Sequence, residues 1–204
     1  MEKLEKTLRI FMLESHIRTL GPFLRYGIWL HGCKKNCPGC IYHKTEHDAE
    51  YREYVVKDLL ETIKNCEGIE GVTISGGEPF LQQEGLYELV KGLRENNYGV
   101  IVYTGYKYDE LIAESINKDI ISNIDILIDG EYIQEEPGGF LVGSTNQKVY
   151  FLTDRYKGFK QMYEQSDKRK VSISINDGEL HSVGIPTYES EIIVKALIRK
   201  KNNG

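Results

Sequence analysis

Apolar positions along this chain fall into short runs that alternate with longer stretches at helical spacing. Leu8 to Leu13 and Phe23 to Leu30 read as strands, joined by a loop that holds Gly21-Pro22. From Tyr51 to Cys66, the residues Val55, Val56, Leu59, Leu60 and Ile63 share one helical face, and Gly68 and Gly71 end the segment. Val72-Thr73-Ile74 is a brief buried-strand pattern, followed by Ser75-Gly76-Gly77-Glu78-Pro79. Leu86, Leu89, Val90 and Leu93 mark a second helix, and Val100 to Tyr103 a strand ending in Thr104-Gly105. A helix from about Asp109 to Ile116 leads to a strand from Ile124 to Ile128, closed by Asp129-Gly130.

Strand–helix–strand units in series predict an α/β fold with a parallel sheet and crossover helices. A complete eight-unit barrel takes roughly 250 residues. The alternation here stops near residue 130, so the expected architecture is a partial (β/α) barrel, open on one side. Ligands in such folds sit at the C-terminal ends of the strands, where every chemically suggestive segment of this chain falls. Beyond Tyr150 the pattern changes. Lys170 to Ile175 and Glu179 to Ile185 flank Asn176-Asp177-Gly178, a hairpin signal, and Glu191 to Arg199 predicts a short closing helix. The expected division is a core over residues 1–149 and a C-terminal β-hairpin and helix extension over residues 150–204, packed on that core.

Length and composition narrow this further. The 204 residues, 40% hydrophobic and 28% charged, suffice for one domain with a buried core. No apolar run reaches the roughly 18 residues that cross a bilayer. Met1-Glu2-Lys3-Leu4-Glu5-Lys6 alternates in charge where a secretory leader would be basic and then apolar. The expectation is a cytoplasmic protein with no membrane association. A net charge of −5, from 26 basic and 31 acidic residues, argues against direct nucleic-acid binding.

Three of the four cysteines lie in His31-Gly32-Cys33-Lys34-Lys35-Asn36-Cys37-Pro38-Gly39-Cys40, a C-x3-C-x2-C spacing. Disulfide frameworks spread their cysteines, and a tight cluster points to metal. Cubane clusters are usually held by four thiolates. Cys33, Cys37 and Cys40 would leave one iron of a 4Fe–4S cluster open to chelation by a ligand's amine and carboxylate. The competing reading is a zinc site whose fourth ligand is His31, His43, His47 or Cys66. Cys66 itself reads as a small core residue on the helix.

The C-x3-C-x2-C spacing also resembles the radical S-adenosylmethionine superfamily. Gly76-Gly77-Glu78-Pro79, after a strand and one βα unit later, looks like the glycine-rich turn with which that superfamily binds the methionine amino group of its cofactor. The two glycines allow close backbone approach, and the carboxylate complements an ammonium. Four segments resemble, more narrowly, the family of anaerobic ribonucleoside-triphosphate reductase activating proteins. Gly21-Pro22-Phe23-Leu24-Arg25 resembles that family's G-P-G-x-R, and Cys37-Pro38-Gly39-Cys40 its C-P-G-C. Thr104 to Leu111 resembles its T-G-Y-K segment, and Asp125 to Gly130 with Gly143-Ser144-Thr145-Asn146-Gln147 its D-G and R-G-S-x-N-Q ending. The family's arginine before G-S-x-N-Q is Val142 here, and the chain continues well past Val149.

The resemblance implies a radical S-adenosylmethionine type of barrel. It also implies a 4Fe–4S cluster on Cys33, Cys37 and Cys40, and reductive cleavage of S-adenosylmethionine. The resulting 5′-deoxyadenosyl radical would take a hydrogen from a glycine of a large partner enzyme. Gly76, Gly77, Glu78 and Pro79 would hold the methionine moiety, and Thr104 and Asp129 the ribose or adenine. Asn146 and Gln147 would line the opening for the partner's glycine loop. The expected partners are an anaerobic ribonucleotide reductase and a reduced flavodoxin or ferredoxin as electron donor. Two alternatives remain at this level: a radical enzyme acting directly on a small molecule, nucleotide or peptide, and a non-enzymatic iron–sulfur or zinc module.

Overall fold

A computed structural model describes residues 5–40, 42, 50–164, 169–176 and 179–185. Its main feature is a seven-stranded mixed sheet in the order β3-β1-β2-β4-β5-β6-β7. The central strands β2 (Arg25–Leu30), β4 (Gly71–Gly76), β5 (Gly99–Tyr103) and β6 (Ile126–Asp129) run parallel. β1 (Thr7–Ile17) lies antiparallel to β2, and β3 (Arg52–Val55) antiparallel to β1. At the other edge β7 (Lys148–Phe151) pairs antiparallel with β6.

The parallel strands are buried on both faces, so their sequences read as nearly continuous apolar runs. One face carries Ile28, Val72, Ile74, Val100, Val102 and Leu127 against α1 (Val56–Lys64), α2 (Gln83–Glu95) and α4 (Ser115–Ile121). Helix α2 packs Leu86, Leu89, Val90 and Leu93, all fully buried, and each such side chain contributes about 1.5–3 kcal/mol. The opposite face presents Ile101, Ile126 and Ile128 to Phe140, Leu141, Tyr156 and Phe159, the last from α5 (Lys157–Glu164).

The structure corrects several expected elements. The helix expected from Tyr51 begins only at Val56, because Arg52–Val55 completes the edge of β1 through Thr7–Val55 to Ile10–Arg52 pairing. A free strand edge and β-branched Val55 together outweigh the helical spacing. The helix expected over 109–116 is broken into α3 (Tyr108–Leu111) and α4. Gln83 donates to Glu114 and Asn117 across this break, and Asn117 is buried. Strand β7 and helix α5 were not anticipated. Beyond them, β8 (Val171–Asn176) and β9 (Glu179–Gly184) form the expected antiparallel hairpin. The closing helix expected at 191–199 lies outside the described residues.

The hairpin is fastened to the sheet. Val183 is buried among Ile17, Leu20 and Trp29, and Thr19 Oγ1 donates to its carbonyl at 3.1 Å.

Candidate functional site

Strand β2 runs directly into the cysteine loop. The root of that loop is held by His31 N donating to Arg9 O at 2.9 Å and by Gln82 Nε2 donating to His31 O at 3.1 Å. Cys33, Cys37 and Cys40 then line a single cavity of about 430 Å³ at the C-terminal ends of the parallel strands. Asn36 and Gly39 take left-handed conformations between them, and Cys40 N donates to Cys37 O at 3.2 Å. Backbone amides also point at sulfur: Lys35 N donates to Cys33 Sγ at 3.4 Å, and Tyr132 N to Cys37 Sγ. Burial pushes the Cys37 thiol up, so metal loading there must expel its proton.

This donor set fits an iron–sulfur cluster. Three thiols from one loop face one cavity, with amide–sulfur hydrogen bonds of the kind that tune cluster potential. Of the fourth ligands weighed for zinc, the His31 ring lies 4.6 Å from that of Tyr51, and the cavity lining does not include it. Cys66 packs on the helix-side core. His43 and His47 lie outside the described residues.

The Gly76-Gly77-Glu78-Pro79 turn sits on the cysteine loop, backbone against backbone. Gly77 N donates to Leu30 O and Glu78 N to Gly32 O, both at 2.7 Å. Gly76 has φ of +106°, and a Cβ there would stand 2.4 Å from Leu30 backbone atoms. A Cβ on Gly77 would stand 2.2 Å from Gly32 O. The two glycines are thus required by the contact between this turn and the loop that carries Cys33. Pro79 opens a short 3-10 turn, for which Glu78 is the cap.

Glu78 is 1% exposed, and its carboxylate is already committed. Oε1 accepts from Phe80 N at 3.0 Å and from Thr104 Oγ1 at 2.9 Å, and Oε2 accepts from Gly105 N at 2.7 Å. It ties the end of β4 to the end of β5. Burial raises its pKa despite these three donors.

The remaining expected residues divide into two groups. Thr104 lines the cavity, donates to Glu78 and accepts from Tyr106 N at 3.1 Å. Gln147 also lines it, held by Gly143 N and Ser144 N on its Oε1, while its Nε2 donates to Gly130 O. Asp129 is buried and spans β6 to its neighbours, accepting from Tyr108 N at 2.7 Å and Lys148 N at 3.3 Å. The cavity lining takes in Gly130, the residue after it, and leaves Asp129 out. Asn146 donates to Glu131 O from an exposed position.

Other lining residues escaped sequence reasoning. Lys35 forms an ion pair with Glu131 at 3.0 Å, and its ammonium lies 4.3 Å above the Tyr106 ring. Burial opposes its charge, but the Glu131 partner holds its pKa above the ordinary value. Its position inside the cysteine loop was the available signal. Tyr103 has a buried hydroxyl that finds no hydrogen-bond partner among the described residues, and it lines the wall one residue before Thr104. Arg169 and Ile185, from the extension, complete the wall, and no local motif announced them. Val142 is buried, and the cation at its turn is Arg169, whose Nη2 donates to Gly143 O at 3.0 Å.

Comparison with known proteins agrees with this geometry. Residues 19–150, well over half of the chain, match the family described as a 4Fe-4S single cluster domain. The anaerobic ribonucleoside-triphosphate reductase-activating protein of Escherichia coli (strain K12) is 32% identical over 146 residues, which cover 65% of this chain and 91% of that protein. The protein of the same name from Haemophilus influenzae is 33% identical over 144 residues, 64% of this chain and 89% of its own. That of Enterobacteria phage T4 is 28% identical over 143 residues, 66% and 88% respectively. The chain therefore belongs to the 4Fe-4S single cluster domain family and to that of the anaerobic ribonucleoside-triphosphate reductase-activating proteins.

Proposed function

We propose that this chain is a radical S-adenosylmethionine activating enzyme with an open partial barrel, working in the cytoplasm. Residues 1–149 would carry the chemistry and residues 150–204 wall its site. The observation that carries this reading is the fastening of the Gly76-Gly77-Glu78 turn onto the loop of Cys33, Cys37 and Cys40, both on one cavity. Cys33, Cys37 and Cys40 would hold a 4Fe–4S cluster. Bound cluster and S-adenosylmethionine supply one-electron reductive chemistry, which would leave a glycyl radical on a large partner. The relatives' names indicate an anaerobic ribonucleoside-triphosphate reductase as that partner. A reduced flavodoxin or ferredoxin would provide the electron.

The chain's own residues bind, orient and exclude water. The turn at Gly76 and Gly77 brings cofactor-binding backbone against the cysteine loop, so the two ligand sets keep a fixed separation. Glu78, spent on Phe80, Thr104 and Gly105, locks the ends of β4 and β5. The ammonium of a bound methionine moiety would then meet the backbone of the turn, where the two glycines allow close approach. Thr104, Gly130 and Gln147 also line the cavity and would face the nucleoside. Leu20, Trp29 and Ile185 line an apolar flank that keeps water from a reactive intermediate.

A second reading has one observation in its favour. The extension adds Arg169, Gly184 and Ile185 to the wall of the cavity, which suits a small substrate held directly as well as a partner's glycine loop. Anaerobic reconstitution and reduction with S-adenosylmethionine tests both. Formation of 5′-deoxyadenosine is expected, with a persistent EPR doublet only when the reductase is added. No 5′-deoxyadenosine from a fully loaded protein would overturn the proposal, and a modified small substrate without any partner would favour the second reading.

A further inference from the structure

Arg169 lies in the extension, outside the residues 19–150 that match the family, yet it reaches the wall of the cavity. Its Nε donates to Gly138 O and its Nη2 to Gly143 O, each at 3.0 Å. These carbonyls lie on the two arms of a narrow turn, whose neck is closed by Gly138 N donating to Gly143 O. From Gly143 a continuous chain of hydrogen bonds leads inward. Gly143 N donates to Gln147 Oε1 at 2.8 Å, Gln147 Nε2 to Gly130 O at 2.8 Å, and Gly130 N to Tyr106 O at 3.1 Å. Gly130, Gly143 and Gln147 all line the cavity. The arginine itself is rooted at the base of the hairpin, where Ile185 N donates to Lys170 O and Thr19 Oγ1 to Val183 O.

We propose that Arg169 is a positioning residue that the extension contributes to the site. It clamps the 138–143 turn and so fixes the wall that Gly130, Gly143 and Gln147 present to the nucleoside portion of S-adenosylmethionine. This rests on the reading of the cavity as an S-adenosylmethionine site. A guanidinium suits the task because its rigid fork meets two carbonyls at once, where an ammonium meets them as a flexible point charge.

The test compares full-length, cluster-loaded wild type with Arg169→Gln and Arg169→Lys. S-adenosylmethionine binding is titrated by calorimetry without reductant, and KM and kcat for 5′-deoxyadenosine formation are measured separately. Arg169→Gln is expected to weaken binding about tenfold, with the loss falling on KM rather than kcat, and Arg169→Lys to recover only a small part of it. Amide hydrogen exchange over residues 138–147 is expected to rise in step with the lost affinity. Unchanged affinity in Arg169→Gln, whether or not exchange rises, overturns the positioning role. If Arg169→Gln does not fold, wild-type affinity in Arg169→Lys overturns the requirement for the fork. Wild type that neither binds nor cleaves S-adenosylmethionine overturns the functional reading itself.

Discussion

Two polar clusters sit at opposite ends of the parallel strands, and they differ in whether they are closed. At the N-terminal ends Arg25 is completely buried, and every nitrogen of its guanidinium is used. Nε donates to Thr73 Oγ1 at 2.7 Å, Nη2 to the Val72 and Gly99 carbonyls, and Nη1 to Glu70 and the Tyr156 hydroxyl. Glu70 in turn pairs with Arg155 at 2.8 Å. At the C-terminal ends the cysteines, the glycine turn, Thr104 and Gln147 face a cavity. A closed network spends its hydrogen bonds on the fold, and an open one leaves groups for a ligand. The floor holds the strands together and the rim does the chemistry.

The largest effect that tests this division is at the rim. Cys37→Ala is expected to abolish cluster assembly, read as loss of bound iron and of 5′-deoxyadenosine, while the melting temperature of the metal-free protein barely moves. Thermal collapse of the metal-free variant would show that the rim is part of the fold's support.

The next largest is at the floor. Arg25→Met leaves Glu70 without its buried partner and strands two carbonyls, costing about 3–5 kcal/mol. In a chain of this size that lowers the melting temperature by roughly 10 °C. Iron loading and turnover of the folded fraction in the cold are expected to persist. A variant with unchanged melting temperature and no activity would erase the distinction between floor and rim.

Sequence reasoning saw these ends unequally. The cysteine spacing and the glycine turn are local, so their chemistry was readable before the fold, as were the strand ends that carry them. Arg25 was noticed only as part of a resembling segment. Its role depends on Glu70 and Tyr156, which are joined to it by the sheet and not by spacing. Asp129 stood in a suggestive place, but the amides of Tyr108 and Lys148, from two different elements, decide where its carboxylate goes. Arg169 was invisible for the same reason, since its partners lie far back in the chain at Gly138 and Gly143. Strand β3 was misjudged because only the edge of β1 makes extended backbone favourable there.

A smaller effect probes the strut between cluster loop and rim. Burial raises the Glu78 pKa above its unfolded value, so between the two pKa values the folded state binds more proton than the unfolded state. Stability from this group is fullest below the unfolded carboxylate pKa and is lost as pH rises through the folded one. Glu78→Gln removes that dependence but sets an amide donor against either Gly105 N–H or Phe80 N–H, an unmet pairing that costs about 1–3 kcal/mol. The stability gap between wild type and variant is therefore expected to narrow as pH rises, measured by urea unfolding across that range. A gap that widens with pH would mean that the folded carboxylate is stabilised as the anion.

The smallest expected effect belongs to the fourth cysteine, and it tests the thiolate count on which the rim reading stands. Cys66 follows α1, with its amide donating to Ile63 O at 3.0 Å and its side chain against the helix-side core. Cys66→Ala removes one sulfur from a partly exposed position and is expected to cost at most about 1 kcal/mol. Iron content and the cluster's EPR spectrum are expected to match wild type, because Cys66 packs on the helix-side core while the cavity lies at the C-terminal ends of the parallel strands. Loss of iron in this variant would require Cys66 to leave the helix-side core and reach the cysteine loop. The cluster would then be closed by four thiolates, with no iron left for S-adenosylmethionine.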